Sequence, residues 1–267
     1  MHPMSQQLLT RYAEAAARAA VAAGALLARH AGHPKHVTTK RSAIDLVTEV
    51  DRAAERLIRR RLAQAFPRIG FLGEESGAHG DTATARWIVD PLDGTNNFVH
   101  GFPMFGVSIA LERLGRVVVG VIYDPMRREL FMARQGGGAW LNGRRIHVSA
   151  THALARSLLS TGFSTQFLRH TQPYLRWFQT LQRGSHGVRR LGSTVLSLAA
   201  VAAGRLDGFY EQDLWPWDMA AGLLLVKEAG GRVTNCSGRV VVLTAGELVA
   251  TNGRIHRPLL HALARPR

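Results

Sequence analysis

The stretch WIVDPLDGTNNFVHGFP (residues 87–103) joins an apolar run to a turn that is rich in acidic and small polar residues. The proline after Asp90 disfavours helix and holds Asp90 extended at the end of a strand. Asp93 and a glycine then form a turn, and a short helix can begin at Thr95. Such a turn points two carboxylates the same way and leaves backbone N–H groups free where phosphate binds well. A metal ion beside a phosphate fits this pattern, and so does a plain Asp-Pro turn in which Asp93 caps the helix.

Three further segments place acids where an apolar element meets a turn. Glu74 and Glu75 follow the apolar strand GFLG, and Asp218 lies in the first turn of an apolar helix. Asp51 ends the segment IDLVTEVD and fits a helix-capping pattern. Solvation, the helix dipole or capping explains each acid separately. If the four junctions meet in space, the carboxylates repel one another and require a cation, and oxygen ligands without a cysteine cluster favour Mg²⁺ over Zn²⁺.

Hydrophobic periodicity divides the chain into helical and β-rich blocks. Strands grouped in the middle with helices on both sides predict an α+β layered fold with mixed sheets, rather than a regular βαβ alternation. We expect residues 1–267 to form a single domain, with a boundary between two halves near 149–154. Asn142 and Gly143 predict a type I′ hairpin rather than a phosphate loop. The predicted helices cover 5–30, about 48–67, 170–183, 193–203 and 217–229, and the later strands lie near 157–162, 206–211 and 247–251.

Composition narrows the classes of function. No apolar run is long enough to cross a bilayer and the first residues lack a secretion signal, so we expect a cytoplasmic protein with no membrane partner. Cys236 is the only cysteine, which excludes an internal disulfide. The formal net charge of +15 leaves nucleic acid open as a partner, but the same field steers small anionic substrates and does not make nucleic acid the main one. The dispersed histidines, most of them near turns or termini like His256, predict surface roles.

The segments GEES (73–76), WIVDPLDGTNNFVHGFP and WPWDMAAG (215–222), in this order, closely resemble the inositol monophosphatase family of Mg²⁺-dependent, lithium-sensitive sugar phosphatases. The resemblance covers nearly the whole chain. It implies a layered αβαβα sandwich with mixed and antiparallel sheets, and a homodimer with each active site inside one subunit. It also implies a phosphomonoesterase that acts on myo-inositol monophosphate or a similar small sugar or polyol phosphate.

Two alternatives stay open beside this reading. Within the same chemistry, the substrate could be fructose 1,6-bisphosphate, 3′-phosphoadenosine 5′-phosphate or histidinol phosphate. From another class, the chain could be an RNA- or protein-binding regulator with secondary enzyme activity, since some bacterial relatives act in ribosomal RNA transcription.

The resemblance implies two metal sites that share one aspartate. Glu74, Asp90 and the backbone carbonyl of Leu92 match the first site. Asp90, Asp93 and Asp218 match the second. Glu74 also matches the carboxylate that helps to hold a third, weaker ion through water, so two or three Mg²⁺ ions are expected.

The same resemblance implies the remaining roles. Asp51 and Thr95 match the pair that orients and deprotonates the attacking water, and with Glu74 they form the expected catalytic set. Asn96 stands where many relatives carry a second threonine, which affects fine positioning of the substrate. Ser193 also fits a helix cap. The expected contacts to phosphate are Lys40, Gly94 and Thr95, and those to the ring are Gly192, Ser193, Thr194 and Glu211.

Overall fold

The computed structural model describes residues 4–33, 37–39, 46–163 and 171–264, which form helical layers around two large sheets. The helices are α1 (Gln6–His30), α2 (Glu49–Ala65), α3 (Thr95–Val99), α4 (Thr171–Gly184), α5 (Thr194–Ala202), α6 (Pro216–Glu228) and α7 (His256–Ala264). The strands are β1 (Thr38–Thr39), β2 (Leu46–Val47), β3 (Gly70–Gly73), β4 (Gly77–His79), β5 (Ala85–Asp93), β6 (Gly106–Arg113), β7 (Arg116–Asp124), β8 (Glu129–Arg134), β9 (Gly138–Leu141), β10 (Arg144–Ile146), β11 (Leu158–Thr161), β12 (Gly187–Arg189), β13 (Gly208–Glu211), β14 (Arg232–Thr234) and β15 (Leu248–Thr251). Within these ranges no helix combines the length and the apolar character needed to span a membrane.

The larger sheet has eight strands in the order β10-β9-β8-β7-β6-β5-β3-β4. Its pairs are antiparallel except for β3 and β5, which run parallel with Gly73 opposite Val89. Residues that follow these two strands therefore emerge side by side at one edge of the sheet. The helices α1 and α2 cover the outer face, where fully buried alanines such as Ala16 and Ala20 let α1 approach closely.

The helices α5 and α6 lie between the two sheets and contact strands of both. They are apolar on nearly every side, as expected for helices without a solvent face. The smaller sheet has the order β12-β11-β13-β15-β14, parallel from β12 to β13 and antiparallel beyond. The helices α4 and α7 cover its outer side. The layered αβαβα arrangement with mixed sheets confirms the predicted fold class.

Most predicted elements lie within a few residues of the observed ones. Asn142 and Gly143 have φ angles of 48° and 77°, which confirms the left-handed hairpin turn between β9 and β10. The sequence did not predict β12, β14 or α7. The surface prediction is wrong for His256, which is 1% exposed and lies 2.9 Å from the hydroxyls of both Thr234 and Thr251. Two hydroxyl partners satisfy both ring nitrogens, so this histidine belongs to the core.

Candidate active site

The end of β5 forms the centre of the site. The strand was predicted to end at Asp90, but it continues to Asp93 through an irregularity in its pairing with β6. Asp90 pairs with Ser108 and Asp93 with Gly106, so β5 holds one extra residue at this point. The N–H of Leu92 donates to Asp90 Oδ1 at 2.9 Å and fixes the turn. The bulge thus turns both aspartates out of the regular alternation of the strand.

Asp218 joins them from the first turn of α6. The N–H of Trp215 donates to Asp218 Oδ2 at 2.7 Å, so the residue caps the helix as the sequence suggested. One carboxylate oxygen from each of Asp90, Asp93 and Asp218 lies within 4.8 Å of the other two. The structure therefore brings the proposed ligands of the second metal site together.

The electrostatics of this cluster favour a bound cation. Burial raises the pKa of Asp90 well above its ordinary value, and the negative charges of Glu74, Asp93 and Asp218 raise it further. Burial also raises the pKa of Asp218 well above its ordinary value, and the negative charges of Glu74 and Asp93 raise it further. Burial raises the pKa of Asp93 to about 6, although hydrogen bonds from Ser193 and from backbone N–H groups oppose the shift. A hard divalent cation offsets this mutual repulsion, so the residues present fit Mg²⁺.

Glu74 reaches the cluster from β3. Its N–H donates to the carbonyl of Val89 at 3.1 Å, and its carboxyl group makes a hydrogen bond with Asp90. The parallel pairing of β3 and β5 explains this position, because the two acids leave adjacent strands at the same edge. Glu74 is thus beside Asp90, as the first metal site requires.

Glu55 supports this part of the site and was not predicted. It is 3% exposed, and its Oε2 accepts a hydrogen bond of 2.8 Å from the N–H of Glu75. Gly73 leaves room for it, since a Cβ there would lie 2.3 Å from Glu55 Oε2. The available signal was its spacing of four residues from Asp51, which places both acids on one face of α2.

Asp51 divides its two oxygens between the helix and the site. Its Oδ2 accepts hydrogen bonds from the hydroxyl of Thr48 and, at 2.9 Å, from the N–H of Thr48, which completes the capping box of α2. Its Oδ1 accepts from the Thr95 hydroxyl at 3.3 Å. The same hydroxyl lies 3.1 Å from the carbonyl of Leu92. The structural and the catalytic explanations of Asp51 are therefore compatible.

The start of α5 provides the opposite wall. The Ser193 hydroxyl donates to Asp93 Oδ2 and accepts from the N–H of Leu196 at 3.3 Å, so Ser193 caps α5. The Thr194 hydroxyl donates to Glu211 Oε2 at 2.9 Å. Glu211 is 5% exposed, and burial raises its pKa to about 8. These three residues lie beside the acidic cluster, where Ser193 is bonded to Asp93 and Thr194 to Glu211.

Asn97 is a second residue that the sequence did not single out. Its side-chain N–H groups donate to the carbonyls of Met104 and Leu191 at 2.7 and 2.9 Å, which ties α3 to the segment before α5. Gly192 packs against it with a φ of 74°, and a Cβ there would lie 2.8 Å from Asn97 Nδ2. Lys40, the predicted phosphate contact, lies outside the described residues.

Comparisons with known proteins agree with this geometry. The chain matches the model of the inositol monophosphatase family over residues 8–266. It is 46% identical over 246 residues to an inositol-1-monophosphatase of Rhizobium meliloti, covering 91% of this chain and 92% of the relative. It is 45% identical over 251 residues to the Nus factor SuhB of Pseudomonas aeruginosa, covering 92% and 93%. Among solved structures, the extragenic suppressor protein suhB of Bartonella henselae superposes with a TM-score of 0.91 at 42% identity, covering 95% of this chain and 98% of that chain. An inositol monophosphatase from Anabaena superposes with a TM-score of 0.87 at 41% identity, covering 96% of each chain.

Proposed function

The chain belongs to the inositol monophosphatase family and is therefore a phosphoric monoester hydrolase, and we propose that it hydrolyses myo-inositol monophosphate or a similar small sugar or polyol phosphate with Mg²⁺. The family is metal-dependent. The observation that carries the proposal is the convergence of Asp90, Asp93 and Asp218, whose oxygens lie within 4.8 Å of one another. Their raised pKa values indicate a site that is completed by positive charge.

We assign the carboxylates to two metal sites that have Asp90 in common, and to a third, weaker site. Glu74, Asp90 and the Leu92 carbonyl would hold one ion, and Asp90, Asp93 and Asp218 the other, with a third ion held by Glu74 through water. When bound, Mg²⁺ lowers the pKa of the attacking water and stabilises negative charge on the entering and leaving oxygens. Asp90 belongs to both groups of ligands, so a substitution of this residue would affect both metal sites.

We assign removal of the water proton to Thr95 and Asp51. Asp51 Oδ2 is already occupied by Thr48, so only Oδ1 faces the Thr95 hydroxyl. When Thr95 passes its own proton to Oδ1, its oxygen can accept the proton of the water. The Leu92 carbonyl competes for the Thr95 proton at 3.1 Å; if that carbonyl were to hold a metal ion, Asp51 would remain as the acceptor.

Substrate binding is proposed to involve three groups of residues. The backbone N–H groups of Gly94 and Thr95, together with Lys40, would receive the phosphate. Glu211 would accept a hydrogen bond from a ring hydroxyl. Gly192, Ser193 and Thr194 line the same side of the site.

A homodimer is expected, and sedimentation of the full-length chain tests it.

The test is phosphate release from a panel of monoesters with and without Mg²⁺. The panel includes myo-inositol 1-phosphate and the alternative substrates fructose 1,6-bisphosphate, 3′-phosphoadenosine 5′-phosphate and histidinol phosphate. We expect Mg²⁺-dependent release that is fastest for the inositol ester and is strongly reduced in Asp93→Asn. Asp124→Asn is a matched control, because Asp124 is a buried carboxylate that pairs with Arg127 at 2.8 Å, outside the site. If no ester is cleaved with any divalent ion, the proposal is wrong.

A role with nucleic acid is the second candidate. It is supported by the 45% identity to a relative named Nus factor SuhB and by the net charge of +15. This role predicts an RNA affinity that falls steeply with salt and survives in Asp93→Asn. An affinity that vanishes in this variant, or that is absent at low salt, contradicts it.

A further inference from the structure

We propose that two adjacent hydroxyls at the start of α5 serve different carboxylates, Ser193 positioning the metal ligand Asp93 and Thr194 positioning Glu211. On this basis Thr194 sets the preference for phosphate esters whose alcohol carries a free hydroxyl near the ester carbon. The inference rests on the proposed function, because it concerns the substrate class of the same site. It changes the expected role of Thr194 from a ring contact to a positioning residue.

The Ser193 hydroxyl serves the metal cluster, besides capping α5. It donates to Asp93 Oδ2, and the N–H of Val195 donates to the same oxygen at 3.2 Å. Both donors orient the carboxylate of Asp93 toward Asp90 and Asp218, the other members of the cluster. Loss of the Ser193 hydroxyl therefore affects every substrate that needs the metal.

The Thr194 hydroxyl donates to Glu211 instead. The hydroxyl lies 2.9 Å from Glu211 Oε2, and within the ranges that the structure describes it is the one hydrogen-bond donor found for this carboxyl group. Gly162 forms the other boundary, because a Cβ there would lie 2.1 Å from Glu211 Oε1. The carboxyl group is thus held between a hydroxyl on one side and bare backbone on the other, and no donor within the described ranges is bonded to Oε1.

A buried, fixed acceptor of this kind selects among substrates. Glu211 is 5% exposed, so a bound ester that supplies no hydroxyl leaves a desolvated oxygen without a donor. An ester with a hydroxyl in reach removes that cost, and sites built to bind a substrate hydroxyl discriminate strongly on this basis. Without the Thr194 hydroxyl, Glu211 loses its donor and its fixed orientation, and the discrimination weakens.

The experiment compares two esters with the full-length chain at saturating Mg²⁺. Myo-inositol 1-phosphate carries hydroxyls beside the ester carbon, whereas phenyl phosphate carries none. We expect Thr194→Val to lower the ratio of their kcat/KM values about tenfold, as loss of one hydrogen bond predicts, and Thr194→Ser to restore most of it. Ser193→Ala is the matched control: it should lower both kcat/KM values by a similar factor and raise the Mg²⁺ concentration for half-maximal rate.

A double-mutant cycle makes the test independent of any general damage to the fold. Glu211→Gln should lower the same ratio, and Thr194→Val should lower it little further in the Glu211→Gln background. Additive effects, an unchanged ratio in Thr194→Val, or a shift in its Mg²⁺ requirement like that of Ser193→Ala would overturn the inference. If the wild type cleaves neither ester, the proposed function itself fails; if it cleaves both and only the ratio is insensitive, the role of Thr194 alone is wrong.

Discussion

Replacement of Asp93 by asparagine should stabilise the metal-free protein while removing its response to Mg²⁺. Burial raises the pKa of Asp93 from 3.8 to about 6, so the folded state binds a proton more tightly than the unfolded state. The stability that this proton provides is fully present below about pH 4 and is lost as the pH rises through about 6. At pH 7.5 the ionised side chain therefore costs free energy in the absence of a cation.

The size of this cost follows from the pKa difference. At about 1.4 kcal/mol per pKa unit it amounts to roughly 3 kcal/mol, and partial exposure of the side chain reduces it to about 2 kcal/mol. Asparagine keeps one oxygen that can accept from both Ser193 and Val195, but it carries no charge. We expect the metal-free variant to melt about 4–8 °C above the wild type, using about 2–4 °C per kcal/mol for a chain of this size.

The assay is thermal unfolding at pH 7.5 with chelator and then with Mg²⁺. Mg²⁺ should raise the Tm of the wild type, since a ligand that binds only the folded state stabilises it, but should raise that of Asp93→Asn little. Asp124→Asn provides the contrast, because Asp124 accepts the N–H groups of Met126 and Arg127 and has no role in the cluster. Its Tm should fall with and without Mg²⁺, with the Mg²⁺-induced rise retained. A metal-free Asp93→Asn that melts at or below the wild type, or that responds fully to Mg²⁺, would refute the reasoning.

Three further outcomes are expected. Protons compete with Mg²⁺ for carboxylates whose pKa values are raised, such as Asp93. The Mg²⁺-induced rise in wild-type Tm should therefore be larger at pH 8 than at pH 5.5, and an equal rise would count against a carboxylate site. Asp90→Asn should be the most damaging single change, lowering Mg²⁺-dependent kcat about a thousandfold, and near wild-type turnover in the folded variant contradicts the bridging role. Gly94→Ala should lower the free energy of unfolding, measured with urea, by more than Gly115→Ala does. Both glycines have a positive φ, but only at Gly94 would a Cβ lie 2.8 Å from a backbone carbonyl oxygen.

The sequence predicts the elements of the site better than their assembly. Asp90 and Asp93 were identified from a local pattern of strand, proline and turn, which depends only on neighbouring residues. Asp218 was identified as a capping acid, but its approach to Asp90 depends on the packing of α6 against the larger sheet. No local pattern encodes that contact, so it came from the family resemblance alone.

Short elements and distant side-chain pairs were beyond the sequence pattern. The strands β12 and β14 have three residues each, too few for an alternation to be recognised. Glu55 lies on an arginine-rich helix, and its burial depends on the close approach of Gly73 from a strand that is distant in sequence. The bond between Ser193 and Asp93 joins residues 100 positions apart, a distance at which periodicity carries no information.

The capping and the catalytic explanations of the site residues describe one arrangement rather than two competing ones. Asp51, Ser193 and Asp218 each cap a helix, and the three helices α2, α5 and α6 begin at the same site. Their N-terminal dipoles oppose part of the negative charge that the carboxylates gather there. A cap uses one oxygen of the carboxyl group while the other serves the site, as Asp51 shows with Oδ2 on Thr48 and Oδ1 on Thr95. Neutral amide replacements keep an acceptor for the cap but remove the charge, whereas alanine removes both. The free energies of unfolding of the two Asp218 variants separate these roles. The difference between the asparagine and the alanine variants measures the contribution of the cap, and the difference between the asparagine variant and the wild type measures the effect of the charge.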